Sequence, residues 1–209
     1  MKQDNTKVII LKKALELFSV NGYDAVSVSE IARAVGIKPP SLYSHYPSKH
    51  AIFEAIINDV SEKYEHYTNQ IDIHMHESKR DVNLFTGINE ETLIKKVYQI
   101  FAFSLHDETI SGFRKMLTIE QFRSAQLSDL YTDRYVDRLV LYHAEIFDEL
   151  IKNGEIKQED PKSLAMMYVA PIITLISVCD RQPEREKECV KKLKDHVRLF
   201  YRTFRKSTD

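Results

Sequence analysis

Apolar residues recur every three or four positions along most of the chain, and this spacing limits the folds that the chain can adopt. Ile10, Ala14 and Leu17, for example, would lie together on one face of a helix. Alternation of apolar and polar residues, the pattern of a half-buried strand, is almost absent, and the 209 residues include only five glycines. The sequence therefore predicts an all-α protein.

Helix-starting and helix-ending residues divide this pattern into a series of predicted helices. Asn21-Gly22 ends the first helix, because glycine readily adopts the left-handed conformation that closes a helix. Ser27 and Glu30 have the spacing of a capping box at the start of the second helix, and Pro47 ends a short third helix. The remaining predicted helices are 48–67, 89–105, shorter pieces within 108–128, 132–153, 161–178 with a kink at Pro171, and 183 to the C-terminus, while 74–90 are expected to form a loop.

The segment from Ser27 to Lys49 has the residue types that a helix-turn-helix requires. Such a motif needs a small residue where its helices cross, a glycine in the turn, and apolar residues that hold the second helix against the first. Ala32 and Gly36 meet the first two needs, and Ile31, Ile37 and Leu42 meet the third. The segment is therefore predicted to bind DNA through its second helix.

The same region resembles the N-terminal domain of TetR-family transcriptional regulators, over about a quarter of the chain. The residues that carry the resemblance are Leu17, Phe18, Gly22, Tyr23, Ser27, Val28, Ile31, Ala32, Val35, Gly36, Ile37, Leu42, Tyr43, His45, Tyr46, Ser48 and Lys49. Two features depart from the family pattern, namely Pro39-Pro40 in place of a commoner small or glycine-containing pair, and His50 where an acidic residue is frequent. Both departures concern base preference.

The resemblance implies that the helix from Pro40 to Tyr46 enters the major groove of DNA. It places five residues at phosphates, namely Ser27, Ser29, Tyr43, His45 and Lys49. It places six within reach of base edges, namely Arg33, Lys38, Pro39, Pro40, Ser41 and Ser44. Neighbouring residues have a structural interpretation instead: Leu42 and Tyr46 as core, and Ser48 as a helix cap.

The resemblance also implies two domains and a homodimer. Residues 1–50 would form a three-helix DNA-binding domain, and residues 51–209 a helical domain for ligand sensing and dimerisation. The charge distribution agrees with this division, because residues 1–50 carry a net charge of +3 and the rest a net charge of −4. The segment 161–178 is too apolar for exposure to water, so it and the last helix are expected to pair with a second copy of the chain.

A small-molecule effector is expected in the second domain, where large apolar residues are frequent. The residues predicted to line its site are Phe101, Leu105, His106, Phe113, Met116, Gln121, Phe122, Tyr142, His143 and Met166, with Arg123 as a further polar group. Large apolar side chains at helical spacing are more often part of a solid core than of a pocket. An internal apolar cavity of roughly 300 Å³ or more would favour a ligand, whereas a filled core with an exposed apolar patch would favour a protein partner.

Other functions are not supported by the sequence. It lacks the motifs of nucleotide-binding, hydrolytic and zinc-protease sites, so no enzyme and no cofactor are predicted. His74, Met75 and His76 are interpreted as a polar loop, and Cys179 and Cys189 as reduced helix residues. No apolar run reaches the length of about 20 residues that a membrane span needs, and the N-terminus lacks a signal-peptide pattern. A cytoplasmic location is therefore expected.

Overall fold

The structure, a computed structural model, describes residues 2–74 and 77–206, with side chains from Asn5 onward. Within these ranges the chain is helical, and its only β pairing is an isolated bridge between Ile156 and Arg205. The helices are α1 (Lys2–Asn21), α2 (Val28–Val35), α3 (Pro39–Tyr43), α4 (Lys49–Gln70), α5 (Ser78–Phe85), α6 (Glu90–His106), α7 (Glu108–Glu120), α8 (Ala125–Thr132), α9 (Arg138–Lys152), α10 (Pro161–Arg181) and α11 (Glu186–Phe204). The all-α prediction is confirmed.

Several predicted helix starts are confirmed by their capping bonds. The Oγ atom of Ser48 accepts the amide of Ala51 at 3.0 Å, ahead of α4. The side chain of Asn89 accepts the amide of Thr92 at 2.9 Å at the start of α6, and Asp160 caps α10. These side chains satisfy backbone N–H groups that have no partner inside the helix, which explains why the starts were visible in the sequence.

The predicted loop at 74–90 is wrong over its middle, where α5 forms without a side-chain cap. Tertiary contacts hold this helix. Asp81, fully buried, accepts hydrogen bonds from the Tyr142 hydroxyl at 2.5 Å and the His74 amide at 2.6 Å. Ser78 donates to a carboxylate oxygen of Glu145 at 2.5 Å. Because both partners lie on α9, local periodicity gave no sign of the helix; Met75 and His76 lie outside the described residues.

Two other boundaries differ from the prediction. The short third helix ends at Tyr43 and not near Tyr46, and a turn completes it. The long helix expected over 132–153 is divided into a π-helical segment, Asp133–Asp137, and α9. A π-helical turn inserts one extra residue per turn and rotates the side chains that follow, so the expected helical face does not continue unbroken through it.

The chain divides into two compact units. The N-terminal unit contains the described residues up to Tyr64 together with Asp107–Tyr131, and the C-terminal unit contains Glu65–His106 and the described residues from Thr132 onward. Helix α7 thus packs on α1, and it belongs to the same unit as the helix-turn-helix segment although it is distant from it in sequence. The functional division at residue 50 stays a prediction, since packing units and functional domains need not coincide.

The core of the N-terminal unit is built on aromatic rings from α1, α4 and α7. Phe18 and Phe113 are fully buried, and Phe53 stacks against Phe113 with ring centroids 6.4 Å apart. Tyr23, in the loop after α1, contacts Phe18 at 5.2 Å and Phe53 at 5.0 Å between ring centroids. These contacts hold the loop that leads into the helix-turn-helix against α1 and α4.

The core of the C-terminal unit lies between α5, α6, α9, α10 and α11. Ile146, Leu164 and Val197 are buried at its centre. A neighbouring cluster contains Cys179 and Cys189, both buried, and burial raises the pKa of Cys179 to about 12.

Helix α10 corrects one expectation from the sequence. It is the one helix in the described ranges that is long and apolar enough, by length and composition alone, to cross a membrane. Only 28% of its most apolar window is buried within the chain. A core or interface helix has the same composition, so this finding shows mainly that α10 has an apolar surface without a partner inside the single chain.

Candidate nucleic-acid interface

Helix α2 begins with a complete capping box. The amide of Glu30 donates to Ser27 Oγ at 3.2 Å, and the carboxylate of Glu30 accepts both the amide and the hydroxyl of Ser27 at 2.7 Å. These hydrogen bonds hold the pKa of Glu30 below its usual value. The box fixes the direction in which α2 starts, and so positions the exposed residues of its first turn.

The turn after α2 depends on Gly36. Its φ of +80° lies in the left-handed region, and its amide donates to the carbonyl of Arg33 at 3.1 Å. The next amide, of Ile37, reaches back to the carbonyl of Ala32 at 3.0 Å. This pair of bonds ends α2 and turns the chain toward α3, as a helix-turn-helix requires.

Helix α3 is five residues long and is held by one side chain. Leu42 is fully buried, whereas Pro40, Ser41, Tyr43 and Ser44 are exposed around it. Two prolines at its first positions cost no hydrogen bond there. Three of its five residues, Pro40, Ser41 and Tyr43, are therefore exposed to solvent, Tyr43 with 51% of its area.

All of the residues predicted to contact DNA lie in this helix-turn-helix and at its two ends. The exposed ones are Ser27, Ser29, Arg33, Lys38, Pro40, Ser41, Tyr43 and Ser44, and the partly buried ones are Pro39, His45 and Lys49. Within the described part of the chain, neither Arg33 nor Lys38 forms an ion pair, so both cations are available to a phosphate or a base. Ser44 donates its hydroxyl to the carbonyl of Ser41 at 2.7 Å.

Lys49 is bonded to the loop before α2. Its ammonium donates to the carbonyl oxygens of Tyr23, Asp24 and Val26 at 2.9, 3.4 and 3.0 Å. These bonds tie the start of α4 to the loop before α2, and we call them the Lys49 clamp. The phosphate contact predicted for Lys49 stays a prediction.

His45 is also less free than expected. Its Nδ1 atom is buried and has no hydrogen-bond partner among the described residues. A contact between His45 and a phosphate would therefore have to use Nε2.

The residues predicted to bind an effector do not form one group. Phe113, Met116, Gln121 and Phe122 belong to the N-terminal unit, and the other six, which are Phe101, Leu105, His106, Tyr142, His143 and Met166, belong to the C-terminal unit. Phe113, Met116 and Phe101 are core residues with at most 1% of their area exposed. Tyr142 is also buried, and its hydroxyl donates to Asp81.

Three of these predicted residues lie at the surface. Phe122 has 89% of its area exposed, because α7 ends at Glu120 and the following turn packs nothing over the ring. Met166 is 48% exposed on α10. His106 is exposed, with its Nε2 atom 3.0 Å from the carboxylate of Glu186. As lining residues of an internal cavity, all three are corrected by the structure.

The C-terminal unit contains a small apolar cavity of about 40 Å³, which the sequence did not reveal. Of the residues predicted for an effector site, only His143 lines it. The aromatic rings around it are Phe85, Phe147, Tyr168, Phe200, Tyr201 and Phe204. These rings come from four helices, so no local pattern in the sequence could have grouped them.

A capped helix, a glycine turn and a short exposed helix with one buried anchor together define a helix-turn-helix DNA-binding protein. Residues 10–56 match the family model described as bacterial regulatory proteins, tetR family. The DNA-binding region of this chain, residues 10–56, is thus of the TetR type.

Curated relatives match this chain only in the DNA-binding region. The chain is 47% identical over 45 residues to IcaR of Staphylococcus aureus, a negative transcriptional regulator of the biofilm operon icaADBC; the match covers 22% of this chain and 24% of IcaR. It is 43% identical over 49 residues to the transcriptional repressor BdcR of Escherichia coli K12, covering 23% of this chain and 25% of BdcR. The chain thus spans about a quarter of the length of these relatives.

Solved structures match over nearly the whole chain. SmeT, the repressor of the Stenotrophomonas maltophilia multidrug efflux pump SmeDEF, is 17% identical with a TM-score of 0.64, covering 96% of this chain and 91% of SmeT. A TetR family regulator from Pseudomonas syringae is 15% identical with a TM-score of 0.61, covering 95% and 96%. The flavonoid-responsive regulator FrrA is 18% identical with a TM-score of 0.59, covering 98% and 100%. At these identities the likeness concerns the fold.

Proposed function

We propose that this chain is a transcriptional repressor that binds a palindromic operator as a homodimer and leaves it when a small effector binds. The observation that carries the proposal is the exposure of α3, in which Leu42 alone is committed to packing and its neighbours are free to enter a major groove. The exposed cations Arg33 and Lys38 lie on either side of the turn. IcaR and BdcR, which share this region, are themselves a negative regulator and a repressor.

Selection of bound DNA from a random pool tests operator binding. We expect an enriched palindrome whose half-sites lie about one helical turn, roughly 34–36 Å, apart, or somewhat farther if two dimers share the site. Lys38→Ala and Ser41→Ala should change base preference at particular positions, whereas Tyr43→Phe should weaken binding to all sequences alike. A pool without enrichment, or a uniform loss for all three variants, would contradict the proposed reading surface.

The homodimer is proposed to form through α10 and α11. Met166 and Met167 on α10 are 48% and 55% exposed, and Leu199 on α11 is 67% exposed. When a second copy covers large apolar side chains of this kind, their surface is removed from water, and this favours association. Sedimentation at micromolar concentration should therefore give a dimer, and a monomer would refute the assignment.

An effector is the third part of the proposal. The solved SmeT–triclosan complex and the name of FrrA show that proteins of this fold respond to or bind small molecules. The cavity of about 40 Å³ is far below the roughly 300 Å³ that would have favoured a ligand over a protein partner, so only a small ligand would fit it. The alternative, a protein partner on the C-terminal unit, would bind without any dependence on this cavity.

The proposal places the chain on DNA in the bacterial cytoplasm, with no catalytic role and no cofactor. Within the described ranges, no group of three or more His, Cys, Asp or Glu residues is arranged to hold a metal ion. His74, part of the polar segment noted in the sequence, bonds through Nδ1 to Asp81 at 2.8 Å and serves the packing of α5.

A further inference from the structure

Glu120, the last residue of α7, is fully buried, and the proposed function gives it no role so far. Its Oε1 atom accepts the amide of Asp24 at 3.4 Å, whereas Oε2 is buried without a hydrogen-bond partner among the described residues. Over the same residues, Glu120 forms no ion pair. Because the burial of an unpaired carboxylate opposes folding, a gain in stability does not account for this residue.

The space that the Glu120 carboxylate occupies exists because residue 22 is a glycine. Gly22 is buried, and a Cβ atom there would overlap Oε1 of Glu120 and lie 3.3 Å from its carboxyl carbon. Any side chain at this position would therefore push the carboxylate away. The close approach allows Glu120 to reach the backbone of the loop before α2.

Glu120 and Lys49 bind opposite ends of one peptide group. The peptide that joins Tyr23 to Asp24 offers its carbonyl oxygen to the Lys49 ammonium at 2.9 Å and its N–H to Glu120 Oε1 at 3.4 Å. A peptide group is planar, and its C=O and N–H point in opposite directions. The two side chains therefore fix the orientation of this plane from both ends, and each hydrogen bond polarises the peptide in favour of the other.

This peptide lies in the segment that leads into α2. Two further carbonyls of the segment, at Asp24 and Val26, complete the Lys49 clamp, and Ser27 then begins the capping box. Rotation of the peptide plane would carry its carbonyl oxygen away from the ammonium. The clamp and the entry into the helix-turn-helix thus depend on an acceptor that α7 supplies.

We infer that Glu120 is a positioning residue for operator binding, which holds the Tyr23–Asp24 peptide in the orientation that sets Lys49 and the start of α2 for DNA. Because it is fully buried, Glu120 acts through this peptide and not by contact with DNA. The inference rests on the proposed function.

Operator affinity and stability, measured on the same variants of the full chain, test this role. Glu120→Met keeps the volume and removes the acceptor. We expect its affinity for an operator selected from a random pool to fall at least fivefold, while the urea midpoint of unfolding does not fall, because an unpaired carboxylate leaves the core. Glu120→Gln keeps an acceptor oxygen and should restore the affinity to within about twofold.

The matched control is Glu108→Gln, which removes a carboxylate from the exposed start of the same helix. It should change neither operator affinity nor the midpoint, since exposed ion pairs contribute little. A residue with a merely structural role would lower both quantities together, so a parallel fall of affinity and midpoint in Glu120→Met would refute the inference. An equal loss of affinity in Glu120→Gln would refute the role of the acceptor.

Amide NMR provides a test that does not require a Glu120 variant to fold. Because both bonds polarise one peptide, Lys49→Met should move the Asp24 amide proton upfield, although the lysine does not contact that N–H. The amide of Gly36, which donates to the carbonyl of Arg33, is the control and should not move. An unchanged Asp24 resonance in Lys49→Met would refute the coupling through the peptide.

These measurements separate the positioning role from the proposed function. If an operator is selected and Glu120→Met binds it with full affinity, the repressor proposal stands and the positioning role is refuted. If the chain selects no operator, the repressor proposal fails, while the Asp24 resonance still decides whether Lys49 acts on the peptide that Glu120 holds.

Discussion

The ammonium of Lys49 lies 4.3 Å from the ring centroid of Tyr23 and donates to the carbonyl oxygen of the same residue at 2.9 Å. Tyr23 in turn packs against Phe53, on the helix that Lys49 begins. These contacts therefore join the loop before α2 to the start of α4.

Removal of this clamp should weaken DNA binding through structure and not through lost charge. We expect Lys49→Met to lower the affinity for operator, because the three carbonyls lose their donor and the loop before α2 loosens. The slope of log affinity against log salt should stay unchanged, since it counts neutralised phosphates. Lys38→Ala, a change at an exposed cation, is the control. A slope reduced by about one in Lys49→Met would show instead that Lys49 contacts a phosphate.

Loss of the capping box should destabilise the N-terminal unit. Ser27→Ala should lower the free energy of unfolding by about 1 kcal/mol, because the amide of Glu30 loses its acceptor. Ser29→Ala, an exposed position in the first turn of α2 that takes no part in the box, should change it by less than about 0.5 kcal/mol. Urea unfolding followed by circular dichroism measures both, and equal effects would show that the box contributes nothing.

Gly22 should resist substitution more strongly than a glycine of the same conformation elsewhere. Its φ is +85°, and a Cβ atom there would lie 2.1 Å from Oε1 of the buried Glu120. Gly36, with a φ of +80° and no atom within 4 Å of its Cβ position, is the matched control. We expect Gly36→Ala to cost about 1–2 kcal/mol of unfolding free energy from backbone strain, and Gly22→Ala to cost more.

A double variant isolates the steric part. Glu120→Ala combined with Gly22→Ala should recover most of the excess, leaving the backbone strain and the 3.1 Å approach to Ile119 Cγ2. If the double variant is as unstable as the sum of the two single changes, Glu120 is not the obstacle and the close approach to α7 does not set this position.

Acid should destabilise the protein through His143. The pKa of this residue is about 4 in the folded chain and 6.5 as the ordinary value, so the unfolded chain binds the proton more readily between these pH values. Its contribution to stability is complete above pH 6.5 and is lost as the pH falls toward 4. Between pH 7.5 and 5 the loss from this group should be about 2 kcal/mol. Urea unfolding of His143→Leu should show a pH dependence smaller by this amount, and an identical dependence would contradict the prediction.

The proposed dimer can be tested with two exposed leucines. Leu199 on α11 is 67% exposed and Leu141 on α9 is 56% exposed, so a glutamate is tolerated at either position in the monomer. Only Leu199→Glu should place a charge in an α10–α11 interface, and its sedimentation should become that of a monomer. Leu141→Glu should remain a dimer. Dissociation of Leu141→Glu alone would move the interface to α9.

The parts of the structure that the sequence predicted are those fixed by neighbouring residues. The capping box at Ser27, the left-handed Gly36 and the cap at Ser48 act within a few residues of themselves, and their pattern is visible in the chain. Leu42 could be recognised as the buried residue of α3 for the same reason. The helix-turn-helix was therefore predictable almost residue by residue.

The parts that were missed depend on distant contacts. Helix α5 is held by bonds to Tyr142 and Glu145, more than sixty positions away in sequence. The bonds from Lys49 to the backbone carbonyls of Tyr23, Asp24 and Val26 were likewise not predicted. The cavity around His143 depends on rings from several helices. Periodicity shows which face of a helix is apolar, but not which other helix covers it.

The single anchor of α3 has a consequence for how this surface can change. In the proposed complex, a substitution at Ser41 or Ser44 would alter the groups offered to a base pair, yet both side chains are exposed and Leu42 is the buried residue of α3. Specificity and foldability are thus separate properties of the same short helix. Mutations that retarget the protein to a new operator can accumulate one at a time, each compatible with a folded chain, as long as Leu42 and the glycine turn are kept.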